Sequence, residues 1–567
     1  MNQLMSKIIV FSIVIASIIV GIGLLSLYLQ SFHAVINFLG MLGFNNPSSF
    51  TETFYGSNRL NFILASSVVL LFGIVGAYYR NRLIWFTEIL LDDFNNKFNF
   101  LKKYIVEVFA KETKLHSFLL LFILIIGVFN RVLHLHHPFR YDEAFTLYSY
   151  VKSPLLFSIA NYSYPNNHIF HNILVQVSTS FFGDSLAAIR LPAFLSGILL
   201  LPLFYAFVRK LYNKNIGLIS TSILACSVPM INYSVNARGY TLVCLLFMLL
   251  LCFALKKNRT YADKFWIILL SGLGFYTVPV FLYPFTIFLL WIFLKEGKIA
   301  INELVIYCFG TVILSLVLYT PVFLYTGLDS LINNPYIVKY NIIEMPQFIF
   351  SKFFSLFQWF LNGYGLSIFV LCSLGLIVGA FLKNKKANLL LASSIISIAI
   401  LMFAHRVVPP NRTLIFVLLV LIPIVINGLL FWVKRERLYL IIGFFIVVVL
   451  SIYLNKDRYL LSKDKSIFEY DKIALEIIDI LKTDDALYAT LPVDYPFQYY
   501  LEKYNSPVCF IHVNNGGFPS NLLEFNNVYV MIDKRYNKSP HEIYKLMDLN
   551  YVLLKDYNYI ELYKLIK

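Results

Sequence analysis

The stretch that decides the fold runs from Ser117 to Glu143 and reads SFLLLFILIIGVFNRVLHLHHPFRYDE. Its first part, Ser117 to Leu135, is an apolar run of about 20 residues, the length at which a helix crosses a bilayer. Its last part, Arg140-Tyr141-Asp142-Glu143, sets two adjacent carboxylates just outside that run. Carboxylates held near lipid are costly and are rarely retained without a task. A carboxylate on a loop at the membrane surface is well placed to take a proton from a hydroxyl.

The remainder of the chain shares the apolar character of that run. Of 567 residues, 59% are hydrophobic and 14% are charged, and the mean hydropathy is +0.71. A soluble protein would carry about 25% charged residues. The composition is that of an all-α polytopic membrane protein. The net charge of +16 would suggest nucleic acid in a soluble protein. Here the loading of cytoplasmic loops with Lys and Arg accounts for it, and no nucleic-acid partner is expected. Cys226, Cys244, Cys252, Cys308 and Cys372 fall in apolar runs and only Cys509 lies in a polar region. Neither a disulfide framework nor a zinc spacing is visible.

About thirteen apolar runs reach or approach the spanning length. They are Ile8–Leu29, Asn61–Tyr79, Ser117–Leu135, Leu191–Val208, Ile216–Tyr233, Tyr240–Leu255, Phe265–Val278, Val280–Leu294, Leu304–Tyr325, Gly365–Leu382, Asn388–Phe403, Thr413–Val433 and Leu438–Leu454. The first is too long for a signal-peptide core, has no small-residue cleavage site and reads as a retained helix. His168–Phe182 is shorter and carries His171, Asn172, Gln176 and a Ser-Thr-Ser run. It suits an amphipathic helix in the interface. The charges agree. If this segment does not cross, Arg209-Lys210, Lys256-Lys257, Lys295, Lys385-Lys386 and Lys434-Arg435 all share one side with Arg80–Lys114, and that side is the cytoplasm. Arg80–Lys114 itself, with mixed charge and aromatics, reads as cytoplasmic helices on the membrane surface.

After Leu454 the composition changes. Charges return and long apolar runs stop. Ile473–Leu481 has helical periodicity, and Ala486–Thr490, Val508–Ile511, Val528–Ile532 and Tyr551–Leu554 read as buried strands. The fold expected is an all-α transmembrane bundle with a small C-terminal extracytoplasmic α/β domain. The divisions fall at 1–114 (an N-terminal extension with two transmembrane helices and the interfacial segment), 115–454 and 455–567.

Under this topology the outer loops hold an unusual polar set. Arg140, Asp142, Glu143, Asn166, Asn167, His168, Asp184 and Arg190 lie in the first, Arg238 and Tyr240 at the next tip, and His405, Arg406 and Arg412 in a later loop. Positive charge outside runs against the usual bias. A guanidinium fits phosphate by paired hydrogen bonds, so a bound anion is indicated. His134, His136 and His137 suit interfacial histidines better than a metal site. The aromatic stretch Gln347–Tyr364 suits an interface belt or the wall of a groove for a lipid tail. The chain has no Walker loop, no GxGxxG and no nucleophile elbow.

The ordered motifs resemble one family. Tyr141-Asp142-Glu143-Ala144 is followed by Asn166-Asn167-His168, Phe182-Gly183-Asp184-Ser185 and Arg190-Leu191-Pro192-Ala193. Then come Tyr233-Ser234, Ala237-Arg238-Gly239-Tyr240 and Asn411-Arg412-Thr413. Together they resemble the GT-C superfamily of polytopic glycosyltransferases, in particular protein O-mannosyltransferases and lipid A aminoarabinose transferases, over roughly Leu115 to Leu454. The resemblance implies helices lying along the membrane in the first outer loop. It implies transfer of a sugar from a polyprenyl-phosphate donor to an extracytoplasmic acceptor (lipid, glycan or protein). It makes Asp142 the catalytic aspartate, with Glu143 in support, and sets Arg140, His168, Arg190, Arg238, Tyr240 and Arg412 on the substrates. It names no certain cofactor, and a divalent cation stays open. Two departures stand out. Asn166-Asn167-His168 replaces a Pro-Pro or His-Pro-Pro element, and no acidic residue accompanies Arg238. A transporter or flippase of lipid-linked sugars would also need a groove and arginines, but would show repeats or interrupted helices with polar sites at mid-membrane.

The chain is thus read as a multi-pass protein of the cell (plasma or inner) membrane with Asp142 and the tail outside. In intact cells an impermeant thiol reagent should label a cysteine placed at Ser462 and spare one at Lys102. The reverse pattern overturns the topology.

Overall fold

The computed structural model describes residues 2–44, 50–93, 113–332, 338–361, 365–433, 435–456, 469–513, 525–535 and 550–566. Lys102, Ser462 and residues 94–112 of the interfacial segment lie outside the described residues. In hydrocarbon each backbone polar group must be satisfied within its own segment, so the apolar runs become helices. A helix covers each expected span. Among the described residues eight are long and apolar enough to cross by themselves, or up to nine if a bent pair counts as one. Shorter ones, such as Tyr240–Ala254, pack among them. The chain is a multi-pass membrane protein.

The bent pair is Lys214–Ala225 and Val228–Ser234, which meet at 60°. A break inside the bundle frees carbonyls, and Arg131, fully buried, meets the need. Its Nη1 donates to Gly127 O (2.8 Å) and Ala225 O (3.2 Å), and its Nε to Ser234 Oγ (3.2 Å). The redirected second piece carries Asn232 and delivers the loop 235–239.

Ile169–Phe182 begins beside Arg238 and Gly239. It ends at Gly183-Asp184, where Tyr499 of the tail reaches the Asp184 carbonyl at 3.4 Å. Both its ends therefore lie on the tail side. At about 1.5 Å per residue it is too short to reach the other face.

The tail is a five-stranded sheet in the order β2-β1-β3-β5-β4. Its strands are β1 (Ala486–Thr490), β2 (Cys509–Val513), β3 (Val528–Asp533), β4 (Asn550–Tyr557) and β5 (Ile560–Ile566). β1 pairs parallel with β2 and β3, and β5 pairs antiparallel with β3 and β4. β1 and β3 are buried throughout, which is why they read as continuous apolar runs. β5 and the helix Asp494–Lys503 were not foreseen. The tail shares a core with the first loop: Ile473, Ile477, Phe497 and Tyr500 pack with Phe139, Ala144, Leu147 and Val151.

At the other end of the chain, Asn2–Leu29 and Glu52–Tyr78 form a hairpin. Its turn seats Phe44 and Phe50 on Tyr325. At the opposite membrane end, Asp93 accepts from Trp266 Nε1 at 3.1 Å.

Close helix approach rests on small residues. Gly365–Phe381 meets Leu418–Leu429 through Gly375, Gly379 and Gly428, and a Cβ on Gly428 would lie 1.9 Å from the Gly375 carbonyl oxygen. Gly428→Ala should force the pair apart and cost about 1–3 kcal/mol. A drop in melting temperature in detergent would show it, and an unchanged melt would refute this packing.

Candidate active site

The site grows from the turn Pro138-Phe139-Arg140 and the short helix Tyr141–Thr146. Glu143 is fully buried and each of its oxygens is occupied. Arg190 donates Nε to Oε1 (2.9 Å) and Nη2 to Oε2 (2.8 Å), the Ala237 N–H donates to Oε1 (2.7 Å), and the Arg140 N–H donates to Oε2 (3.3 Å). Arg190 spends its remaining N–H groups on the carbonyls of Leu135, His137 and Pro138. A guanidinium has five N–H donors, and all five are used. Glu143, expected in support of Asp142, and Arg190, expected on a substrate, form a brace that joins loop, helix and tip.

Arg238 also differs from expectation. It is buried. Nη1 donates to Thr146 Oγ1 (3.1 Å) and Asn166 O (3.1 Å), and Nη2 faces Asn166 Oδ1 (3.1 Å) and His168 Nε2 (3.2 Å). Thr146 Oγ1 in turn donates to the Asp142 carbonyl at 2.7 Å. Arg238 thus ties Asn166–His168 to the helix of Asp142. His168 is buried, accepts the Gly239 N–H on Nδ1 at 2.9 Å, and is held well below the usual histidine range by burial and by Arg238. It is neutral. Arg140, the last of the committed arginines, donates to Asn232 Oδ1, and its burial lowers the guanidinium from its ordinary value.

What stays open is Asp142 and its neighbours. Its side chain is 36% exposed and lies 3.9 Å from Arg412 Nη1, itself 43% exposed. The Tyr240 phenol approaches Arg412 and stacks edge-on with Tyr233 and His168. Of the eight expected residues, Asp142, Arg412 and Tyr240 therefore meet in one place with unspent capacity.

Sequence reasoning missed Lys352. It is the only charge in the helix Met345–Phe360, whose sequence is MPQFIFSKFFSLFQWF. That lone lysine in an aromatic helix was the available signal. Lys352 is 7% exposed, and Nζ donates to Asn411 Oδ1 at 2.5 Å, next to Arg412. Among the described residues no carboxylate pairs with it. Burial lowers it to about 8. The same helix continues through Phe357 and Phe360 into an apolar groove of about 450 Å³, whose far wall includes Leu418, Leu421 and Val425 from the helix that follows Arg412. Lys352 and Arg412 thus precede, along the chain, the Phe357 and Leu418 that line the groove. Among the described residues no group of three or more His, Cys, Asp or Glu side chains is placed to hold a metal. His134 and His137 face each other at 3.0 Å.

With the geometry in view, comparison with known proteins narrows the class. The family described as dolichyl-phosphate-mannose-protein mannosyltransferase matches residues 166–325. The match includes His168, Arg190, Arg238 and Tyr240 and stops short of Asp142 and Arg412. The resemblance to GT-C membrane glycosyltransferases is borne out by it. Among solved structures, the chain is similar to ArnT from Cupriavidus metallidurans in the apo state, with 12% identity, 78% of this chain and 97% of that chain covered, and a TM-score of 0.49. It is similar to the same protein bound to undecaprenyl phosphate at 10% identity, covering 79% and 97%, with the same TM-score of 0.49. It is also similar to the oligosaccharyltransferase AglB of Archaeoglobus fulgidus in complex with an inhibitory peptide and a dolichol-phosphate, at 12% identity, 75% and 70% coverage and a TM-score of 0.43. No curated protein matches significantly.

The brace makes a direct prediction. Glu143→Gln leaves Arg190 buried without a counter-charge, which should cost about 3–5 kcal/mol. Arg190→Lys, with three donors for the same acceptors, should be nearly as damaging. Thermal unfolding in detergent is the readout. Wild-type melts for both would remove the brace from the account.

Proposed function

We propose that the protein is a glycosyltransferase that moves a sugar from a polyprenyl-phosphate donor to an extracytoplasmic hydroxyl acceptor. The carrying observation is the placement of an open carboxylate, Asp142, 3.9 Å from Arg412, whose chain neighbour Asn411 holds the buried Lys352 of the helix that also lines an apolar groove. The description of the matching family, which names a dolichyl-phosphate sugar, supports the same class of donor. In this reading residues 115–454 form the catalytic unit, 1–114 an extension and 455–567 an outer domain.

The acceptor oxygen attacks the anomeric carbon, its proton passes to Asp142, and the bond from that carbon to the phosphate oxygen breaks. Lipid phosphate departs with the electron pair. A positioned base is worth about 10²–10⁴-fold. Charge building on the phosphate is met by Arg412 and Lys352, fixed cations in a partly dry site. The loose contact between Asp142 and Arg412 suits this sequence. A phosphate that draws Arg412 to itself frees the carboxylate to accept a proton. One base and no nucleophile on the opposite face favours inversion, by analogy with hydrolytic glycosidases. Arg190 and Arg238 hold the loop in which Asp142 is set.

Two outcomes test the reading. With labelled polyprenyl-phosphate hexoses, purified wild-type protein should release lipid phosphate. Asp142→Asn should lower turnover by at least about 10² while donor still binds. Asp142→Asn turning over normally, with Asp184→Asn inactive, would place the base elsewhere.

The second outcome is a pH dependence. Lys352 must be protonated to meet a phosphate, and burial sets it at about 8 before the donor arrives. Donor affinity should therefore hold below that pH and fall as pH rises through it. Lys352→Arg should flatten the fall, because arginine stays charged. Lys352→Met should weaken binding throughout. Affinity that is level to pH 10 in wild type would exclude Lys352 from the phosphate site.

A further inference from the structure

In open α/β sheets, ligands bind beyond the carboxyl ends of parallel strands, where the strand order reverses. The tail sheet has this arrangement, with β1 between parallel β2 and β3. The chain leaves β1 and enters the helix Asp494–Lys503 at that edge, and His512 is the penultimate residue of β2.

Asp494 is 1% exposed. Its Oδ2 meets His512 Nδ1 at 3.0 Å. Its Oδ1 is buried with no hydrogen-bond partner among the described residues. Such an oxygen calls for a donor from outside the protein. His512 Nε2 faces Gln498 Oε1 at 2.8 Å, and the Tyr495 ring lies 4.3 Å from the imidazole.

This edge faces the candidate active site. The Tyr495 ring is 6.0 Å from that of Tyr141 and 5.1 Å from that of Phe145. Tyr164, 42% exposed, stands edge-on to Phe145 at 5.3 Å. Tyr141 directly precedes Asp142. Burial first, and Asp494 next, raise the Tyr141 phenol above its ordinary value, so it remains a hydrogen-bond donor.

We propose that this crevice, formed by Tyr141, Tyr164, Asp494, Tyr495, Gln498 and His512, binds a sugar unit of the acceptor and presents its hydroxyl to Asp142. The proposal rests on the glycosyl-transfer reading and names the acceptor class. The unpartnered Asp494 oxygen, and the Gln498 amide beyond its bonds to His512 and to Glu502 Oε1 (3.0 Å), suit the hydroxyls of a sugar. Flat aromatic rings suit its C–H face. Asp494 and Asp142 together oppose an anionic acceptor. The larger cleft between loop and tail, about 800 Å³, is less suited. Its charges already pair with one another, Lys152 with Glu502 at 2.6 Å and Lys503 with Asp471 at 3.0 Å.

The test uses the full-length protein in lipid nanodiscs. Saturation-transfer NMR is run with a panel of neutral methyl glycosides and disaccharides of mannose, glucose, galactose and N-acetylglucosamine, and with a Ser/Thr-rich peptide. At least one glycoside should receive saturation. Asp494→Asn should weaken its binding by ten-fold or more. Gln498→Ala, at a half-exposed position where folding is less at risk, should weaken it several-fold. The proposal is overturned if no saccharide binds, if binding survives both folded variants unchanged, or if the peptide alone binds and is lost in Gln498→Ala. Glycoside binding that depends on Gln498, with Asp142→Asn releasing lipid phosphate normally, would uphold this subsite and refute the base assigned to Asp142.

Discussion

The structure depends on one buried ion pair. Glu143 and Arg190 are both fully buried, and desolvating two charges is costly unless each remaining lone pair and proton finds a partner. Here they do. Arg190 sits on the long helix Leu186–Leu211 and gathers the carbonyls that end the Lys114–Leu133 helix and begin the outer turn. Glu143 takes the N–H of Ala237 from a third segment. Adjacent residues on a helix point about 100° apart. Locking Glu143 inward therefore turns Asp142 away from the core, toward Arg412 and solvent. The exposed carboxylate is a geometric consequence of the buried one.

The spans were legible because apolar length and loop charge are direct physical requirements of a bilayer. Asp142 drew notice in the sequence because a carboxylate beside a span has few structural uses, and its open side chain keeps it the candidate base. The arginines were harder. Arg190, Arg238 and Arg412 all lie near span ends, and sequence cannot tell a guanidinium that binds phosphate from one that caps carbonyls. Only the partners separate them: Arg190 and the Nη groups of Arg238 are spent on the protein, while Arg412 meets only the Tyr240 phenol and, loosely, the Asp142 carboxylate among the described residues. Lys352 was hidden by its aromatic neighbours, which read as an interface belt. The sheet was partly legible, since β1 and β3 are buried on both faces. Six of the eight residues of β4 are exposed, and β5 mixes charge into its pattern, so their limits could not be read from apolar runs.

Committed and uncommitted cations divide the work of the site. An arginine with every donor used is rigid and carries its charge to a fixed place, but it offers a ligand little new bonding. Lys352 is the reverse. It has lost much of its hydration and gained one neutral partner, so an arriving phosphate would supply what burial removed. In the proposed reading one helix, Met345–Phe360, would meet the two parts of the donor, Lys352 the phosphate and the groove-lining Phe357 and Phe360 the lipid tail.

The tail domain is joined to this arrangement by packing rather than by a tether. Phe139, Ala144 and Leu147 from the loop share a core with Ile473, Phe497 and Met531 from the tail, and the Phe139 N–H is held by the Tyr500 hydroxyl at 3.0 Å. Close-packed interiors transmit displacement because they cannot absorb it. A shift of the Asp494–Lys503 helix would therefore move the turn that leads into Asp142. The edge of the sheet that carries Asp494 and His512 and the helix that carries Asp142 are parts of one packed body. Whatever occupies the crevice between them is held at a fixed distance from the carboxylate, as the proposed role of Asp142 as a base meeting one hydroxyl among many would require.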